Sequence, residues 1–204
     1  MRWFYWIVFL GCLSPGLGLV RDTFQGQLGV NPVETLLHET GRTALAILFA
    51  ALAVTPIRRL TGWNRIQRVR RMLGVWSFVY ALSHLLIYVV FNHLGDVGAI
   101  LDDVVERPFI FMGMLTFVIL LALAVTSTNG MIRRLGRRWQ YLHRLVYVAA
   151  MTATIHFAWG QKADIREPLV WATGLAVLLG VRLFWAVQRR QRQRRPSPVR
   201  AVSH

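Results

Sequence analysis

The chain has 204 residues, 55% of them hydrophobic, eight tryptophans and a mean hydropathy of +0.44, which is too apolar for a soluble domain of this length. Its net charge of +15 would suit nucleic acid if it were gathered on one polar surface. The basic residues lie instead in short segments between apolar runs, which excludes a nucleic-acid partner and points to membrane lipid as the surroundings.

A membrane-spanning helix needs roughly 20 mostly apolar residues, and six stretches qualify: 3–20, 41–57, 72–91, 108–127, 139–159 and 168–187. The first follows Arg2 and contains Pro15 and Gly16, so it also fits a secretory signal peptide, although no small-x-small cleavage pattern follows Pro15. Cys12, in the same stretch, is the single cysteine; it excludes an internal disulfide and a cysteine-ligated metal cluster and reads as a small apolar filler.

Between the second and third stretches come Arg58, Arg59, Arg65, Arg68, Arg70 and Arg71, and between the fourth and fifth come Arg133, Arg134, Arg137 and Arg138. After the sixth follow Arg189, Arg190, Arg192, Arg194, Arg195 and Arg200. None of these segments holds an acid. The carboxylates fall in the alternate loops: Asp22, Glu34 and Glu39; Asp96, Asp102, Asp103 and Glu106; Asp164 and Glu167. Because Lys and Arg stay on the cytoplasmic side during insertion, the expected fold is an all-α integral membrane protein. It is a six-transmembrane-helix bundle with both termini cytoplasmic. The bundle occupies 1–187, and 188–204 form a basic, disordered, lipid-facing tail with Pro196 and Pro198. No internal sequence repeat is visible.

Ionisable or metal-binding side chains are costly inside a span and default to functional roles. His84 lies in the third stretch, and His143 and His156 lie in the fifth. His38, His93 and His204 fall at or beyond the ends of spans and read as solvated or interfacial. The third and fifth helices both run outward. His84 is seven residues before Phe91 and His156 three before Trp159, so the two differ by only about 6 Å in height at ~1.5 Å per residue. Two imidazoles on neighbouring helices at similar depth are what a six-coordinate haem iron needs, which implies electron transfer with no open axial position. His143 lies about 20 Å lower and roughly 140° away in helical phase. A second haem there needs a distorted helix or a ligand from elsewhere, such as Met72. A hydrogen-bonding role at the inner interface is the alternative.

Arg144 and Arg182, in the inner parts of the fifth and sixth stretches, carry the guanidinium fork suited to haem propionates or a flavin phosphate; snorkelling toward headgroups is the alternative. Small residues such as Gly113 and Gly174 allow close helix approach and leave cofactor identity open. No Gly-rich phosphate loop or soluble nucleotide domain is present, so a reductant comes from a separate molecule.

Several segments together resemble the haem-binding membrane subunits of bacterial periplasmic methionine sulfoxide reductase systems (the MsrQ, or YedZ, family) in the ferric-reductase-like transmembrane group. They are GVNPVETLLHETGRTAL from Gly29, AVTPIRRL from Ala53, RRMLGVWSFVYALSH ending at His84, ERPFIFMG from Glu106, TSTNGMIRRLGRRWQYLHRLVY around His143 and TIHFAWG around His156. The resemblance implies a multi-pass protein of the bacterial inner membrane with haem b and FMN as cofactors. His84, His143 and His156 match the haem histidines by position. It also implies a periplasmic molybdopterin-containing partner that reduces methionine sulfoxide in oxidised proteins, and electrons drawn from the quinone pool or a cytoplasmic flavin reductase. Two other classes stay open: a self-sufficient ferric or quinone reductase, and a metal or proton transporter. The second is disfavoured by the lack of acids within the spans.

Overall fold

The computed structural model describes residues 2–161 and 165–194, and its described residues contain helices and no strand. Helix α1 (Arg2–Phe24) is followed by α2 (Pro32–Thr61), whose start combines Pro32 in the first turn with an Asn31 cap. The Asn31 side chain accepts from the Glu34 amide and donates to the Glu34 carboxylate. Gly62, at φ +70°, takes the left-handed position that ends α2. A short 3-10 turn (Asn64–Val69) leads into α3 (Arg70–Ile87), which finishes in a π turn at Tyr88–Asn92. The chain then turns through Leu94 (φ +49°) and Gly95 (φ +82°) into α4 (Val97–Glu106), capped by Asp96. Pro108 opens α5 (Pro108–Val125). The short helices α6 (Asn129–Leu135) and α7 (Arg137–Leu142) precede a 3-10 turn at His143–Leu145, then α8 (Val146–Gly160) and α9 (Arg166–Arg194).

Among the described residues, five helices are long and apolar enough to cross a membrane: Trp3–Phe24, Pro32–Thr61, Asn64–Asn92, Pro108–Val125 and Arg166–Gln191. The expected fifth stretch, 139–159, is not one continuous α-helix. It leaves the α-helical path at His143–Leu145, and α8 alone has 15 residues, about 22 Å against a hydrocarbon core of about 30 Å. Helix α9 continues through 188–194, into the segment read as tail; 195–204, like Asp164, lie outside the described residues.

Two helix pairs dominate the packing, α2 with α3 and α5 with α8, and they meet through α3 against α5 and α2 against α8. Ala149 and Ala150 are fully buried; with no side chain beyond Cβ they let α8 close onto its neighbours, where Leu45, Leu48, Leu52, Ile119, Leu120 and Leu123 complete the core. Ser77 donates to the Ala44 carbonyl between α2 and α3, and the Thr116 and Thr152 hydroxyls share a 2.7 Å hydrogen bond between α5 and α8. Helix α1 is joined by Tyr80, whose hydroxyl donates to the Cys12 carbonyl and accepts from the Gly16 amide. These two groups are the i and i+4 partners of one helical turn beside Pro15, so the hydroxyl is inserted into the α1 ladder. Trp3, Trp6, Leu10, Leu121, Leu183 and Phe184 are exposed on the outside, the surface expected where the solvent is lipid.

Candidate functional site: two facing imidazoles

The structure brings His84 of α3 and His156 of α8 together. Their ring centroids are 6.1 Å apart and their planes are nearly perpendicular, at 87°. His84 Nδ1 lies 2.9 Å from the Leu37 carbonyl of α2, and His156 Nδ1 lies 2.6 Å from the Phe109 carbonyl of α5. A carbonyl only accepts, so each Nδ1 carries the proton and each Nε2 keeps its lone pair. This is a tautomer in which Nε2 is free to ligate a metal.

Each imidazole is seated against a glycine four residues beyond its carbonyl partner. A Cβ at Gly41 would come within 3.0 Å of His84 Nδ1, and one at Gly113 within 2.7 Å of His156 Nδ1 and Cε1. A side chain at Gly113 would force the His156 ring to shift, and one at Gly41 would require the His84 ring to give by a few tenths of an ångström. Both histidines are also 47 residues from their carbonyl partner, so the α2/α3 and α5/α8 pairs repeat one device although the sequence shows no repeat. Gly113, read from sequence only as a helix-approach residue, is part of the site. Gly174, by contrast, packs ordinarily, 3.5 Å from Phe49.

The two rings border a cavity of about 320 Å³ lined mainly by apolar side chains, among them Leu45, Leu85, Met114 and Phe157, with His38, Arg42, Tyr88 and Arg107 among its polar members. His93, expected to be solvated, is instead held close by: its Nε2 lies 3.0 Å from Asp103 Oδ2, which also accepts from the Tyr88 hydroxyl at 2.7 Å, while Asp103 Oδ1 pairs with Arg107. Asp103, read from sequence only as a loop charge, is buried in this cluster. The Tyr88 hydrogen bond, then the Arg107 and His93 charges, hold its carboxyl below the usual range against the opposing effect of burial.

His143 is not brought to this pair. It sits in the 3-10 turn, stacked on Trp139 at 4.0 Å, with Nε2 3.2 Å from Thr126 Oγ1. The Thr126 hydroxyl proton goes to the Ala122 carbonyl, so His143 Nε2 is the donor to Thr126 and its lone pair lies on Nδ1, the reverse of the other two. Three residues at 120° in place of 100° reduce the phase gap between His143 and His156 from roughly 140° to roughly 80°. His143 borders a second cavity, of about 430 Å³, with Arg70, Arg71, Arg144, Gln140 and Trp139. Leu48 and Leu120 line both cavities, which are therefore stacked along the bundle. Arg144 also lies over the Tyr141 ring at 4.9 Å. Arg182 is committed elsewhere, donating to the Tyr147 hydroxyl and the Leu52 carbonyl, and Met72 is buried in the core between α1, α2 and α3.

A bundle of long apolar helices, with two imidazoles brought together in its interior, defines a multi-pass membrane protein. The family model for ferric reductase like transmembrane components matches residues 40–154, a segment that contains Gly41, His84, Gly113 and His143. Among curated relatives, the protein-methionine-sulfoxide reductase heme-binding subunit MsrQ of Herminiimonas arsenicoxydans is 47% identical, covering 91% of this chain and 87% of its own. The MsrQ subunits of Rhodospirillum rubrum and Ralstonia nicotianae are 46% and 45% identical, covering 93% and 87% of this chain and 92% and 83% of their own. The chain belongs to the ferric-reductase-like transmembrane proteins and, within them, to the MsrQ family of heme-binding subunits, as a multi-pass protein of a bacterial inner membrane. No solved structure matches it significantly.

Proposed function

We propose that the chain holds haem b between His84 and His156 and carries electrons through the membrane to a periplasmic, molybdopterin-containing partner that reduces methionine sulfoxide in proteins. The observation that carries this reading is the approach of the two rings, 6.1 Å between centroids, each held at Nδ1 by a backbone carbonyl so that Nε2 keeps its lone pair. The names of the relatives, which describe heme-binding subunits of protein-methionine-sulfoxide reductase, support the same conclusion. When bound, haem would supply one-electron chemistry, with His84 and His156 as the residues that would hold it. The work of the chain is then to bind and orient. The Leu37 and Phe109 carbonyls keep each ring protonated at Nδ1, Gly41 and Gly113 give the rings room, and the apolar walls exclude water.

The second cavity is the entry site in this proposal. Trp139, His143, Arg70 and Arg144 suit a planar group with an anionic end, such as FMN, or a quinone. For His143 to ligate a second iron through Nε2, its ring must turn away from Thr126. Six spans with cytoplasmic termini complete the proposal. The alternation of basic and acidic loops supports this topology, and the continuous helical run 137–160, with its 3-10 turn at His143–Leu145, supplies the sixth crossing. Tyr80, by joining α1 to the bundle, supports its retention as a span and not as a cleaved signal.

The test is the absorption spectrum of the purified chain. A low-spin haem spectrum is expected, and it should disappear in His84→Ala and in His156→Ala. Full haem in both variants would overturn the assignment.

A further inference from the structure

The seam between α2 and α9 is neutralised at one end and left charged at the other. At the acidic-loop end, Arg42 of α2 pairs with Glu167 in the first turn of α9 at 2.9 Å. From there the two helices run side by side in the same direction: Phe49 meets Trp171 and Gly174, Arg182 reaches the Leu52 carbonyl, and Arg59 lies over the Trp185 ring at 4.8 Å. The Leu52 carbonyl is open to Arg182 because Pro56, four residues on, has no amide hydrogen to give it. Arg182 therefore fills the gap that Pro56 leaves in the α2 ladder and pins α9 to α2, with the Tyr147 hydroxyl of α8 as its second partner. Arg182, Trp185 and Arg189 stand at i, i+3 and i+7 on α9, and Leu52, Thr55 and Arg59 have the same spacing on α2, so the two stripes face each other across the seam. At its arginine end, Arg58 and Arg189 both act on the charge of Arg59. Among the described residues the ion pairs form at Arg21, Arg42, His93 and Arg107, and none reaches these three arginines or Arg182. Arg182 Nε and Thr55 Oγ1 are buried with no hydrogen-bond partner there. Like charges gathered without a counterion repel one another, and an anion with several oxygens removes that cost. Beside them Leu60, Phe184 and Val187 are apolar and exposed.

We propose that Arg58, Arg59 and Arg189, with the Trp185 ring against Arg59, form a binding site for the headgroup phosphate of an anionic phospholipid, whose acyl chains lie along the exposed apolar side of α2 and α9. Guanidinium forks match phosphate oxygens in paired hydrogen bonds, a tryptophan suits the boundary between headgroup and acyl chain, and basic pockets between spans take up anionic headgroups. The apolar flank favours a lipid over a free phosphate ion. Arg182 is a positioning residue: by closing the Pro56 gap it fixes the register in which Trp185 and Arg189 come alongside Arg59. The site is separate from both cavities and stands whether or not the two imidazoles hold haem.

The experiment uses the purified full-length chain in neutral detergent, titrated in parallel with dioleoylphosphatidylglycerol, dioleoylphosphatidylcholine and inorganic phosphate. Bound mass is read by native mass spectrometry and stability by thermal unfolding. Phosphatidylglycerol should stay bound and raise the melting temperature, and the other two should do neither. Arg59→Gln and Arg189→Gln should each weaken phosphatidylglycerol binding about tenfold. Arg133→Gln and Arg134→Gln, which remove the same charge from α6, should leave it unchanged. Because bound mass is counted on the folded chain, an unstable variant does not mimic loss of the site. Equal weakening by the α6 variants would overturn the proposal, since net charge alone would then explain the binding. Equal retention of phosphatidylcholine would reduce the seam to ordinary lipid contact, and equal protection by inorganic phosphate would make the ligand a soluble anion; either result overturns it, as would full phosphatidylglycerol binding in Arg59→Gln and Arg189→Gln.

Discussion

Adding one methyl group at Gly113 provides the sharpest test of how the imidazoles are seated. The new Cβ would stand 2.7 Å from His156 Nδ1 and Cε1, whereas ordinary contact begins at 3.4 Å, so the ring must retreat by 3.4 − 2.7 = 0.7 Å. If the retreat is along the 2.6 Å hydrogen bond to Phe109, that bond reaches about 3.3 Å, beyond its useful range. Losing it costs about 1–3 kcal/mol, and overpacking costs about as much again. Gly41→Ala demands less, because its Cβ would stand 3.0 Å from His84 Nδ1 and the retreat is 0.4 Å. Gly174→Ala, 3.5 Å from Phe49, demands none. Haem content, the low-spin spectrum and thermal unfolding of the three variants should therefore rank Gly113→Ala as most damaged, Gly41→Ala as intermediate and Gly174→Ala as unchanged. Full low-spin haem and normal stability in Gly113→Ala would refute the seating of His156 against Gly113.

Other perturbations separate the two cavities and the periphery. His143→Ala should leave the low-spin spectrum of the His84–His156 centre in place while slowing its reduction by a cytoplasmic flavin reductase or a quinol; loss of that spectrum would place His143 in the outer site. Tyr80→Phe removes a hydroxyl that satisfies the Cys12 carbonyl and the Gly16 amide, at about 1–3 kcal/mol. Faster proteolysis between α1 and α2 in detergent is the expected sign, and unaltered proteolysis would contradict the inserted hydroxyl. The carboxyl of Asp103 lies below its usual range when folded, so its contribution is complete above the unfolded value of 3.8 and is lost as pH falls through the lower folded value. The melting-temperature advantage of the unsubstituted chain over Asp103→Asn should be constant above about pH 5 and shrink in stronger acid. An advantage that grows on acidification would reverse the assigned sign.

The histidine pair was legible because intramembrane imidazoles are few and their depth can be counted from the basic loops, and the structure does bring His84 and His156 together, with 6.1 Å between ring centroids. What holds them was not legible. The acceptors are peptide carbonyls of Leu37 and Phe109, which have no residue signature, and Gly113 looks like any small residue on a helix until the ring beside it is seen. The 3-10 turn at His143–Leu145 was hidden for a related reason. No proline or glycine marks it, and only the awkward phase of His143 relative to His156 hinted that a regular helix was wrong there. Asp103 misled in the opposite direction. Its negative charge fits an outer loop, and nothing local distinguishes it from Asp102 until α4 folds back and delivers it to Tyr88, His93 and Arg107.

The use of peptide carbonyls to hold both imidazoles also bears on how such a protein can vary. A side-chain acceptor is one codon away from being lost, whereas a carbonyl survives every exchange at its own position. The electronic character imposed on each imidazole through Nδ1 is thus insulated from drift at Leu37 and Phe109, and the exposed route to altering it runs through positions 41 and 113. Lineages in this family are therefore free to rework the lipid-facing surface, and even the identity of the residues whose backbones hold the rings, while the proton distribution on the two rings stays the same.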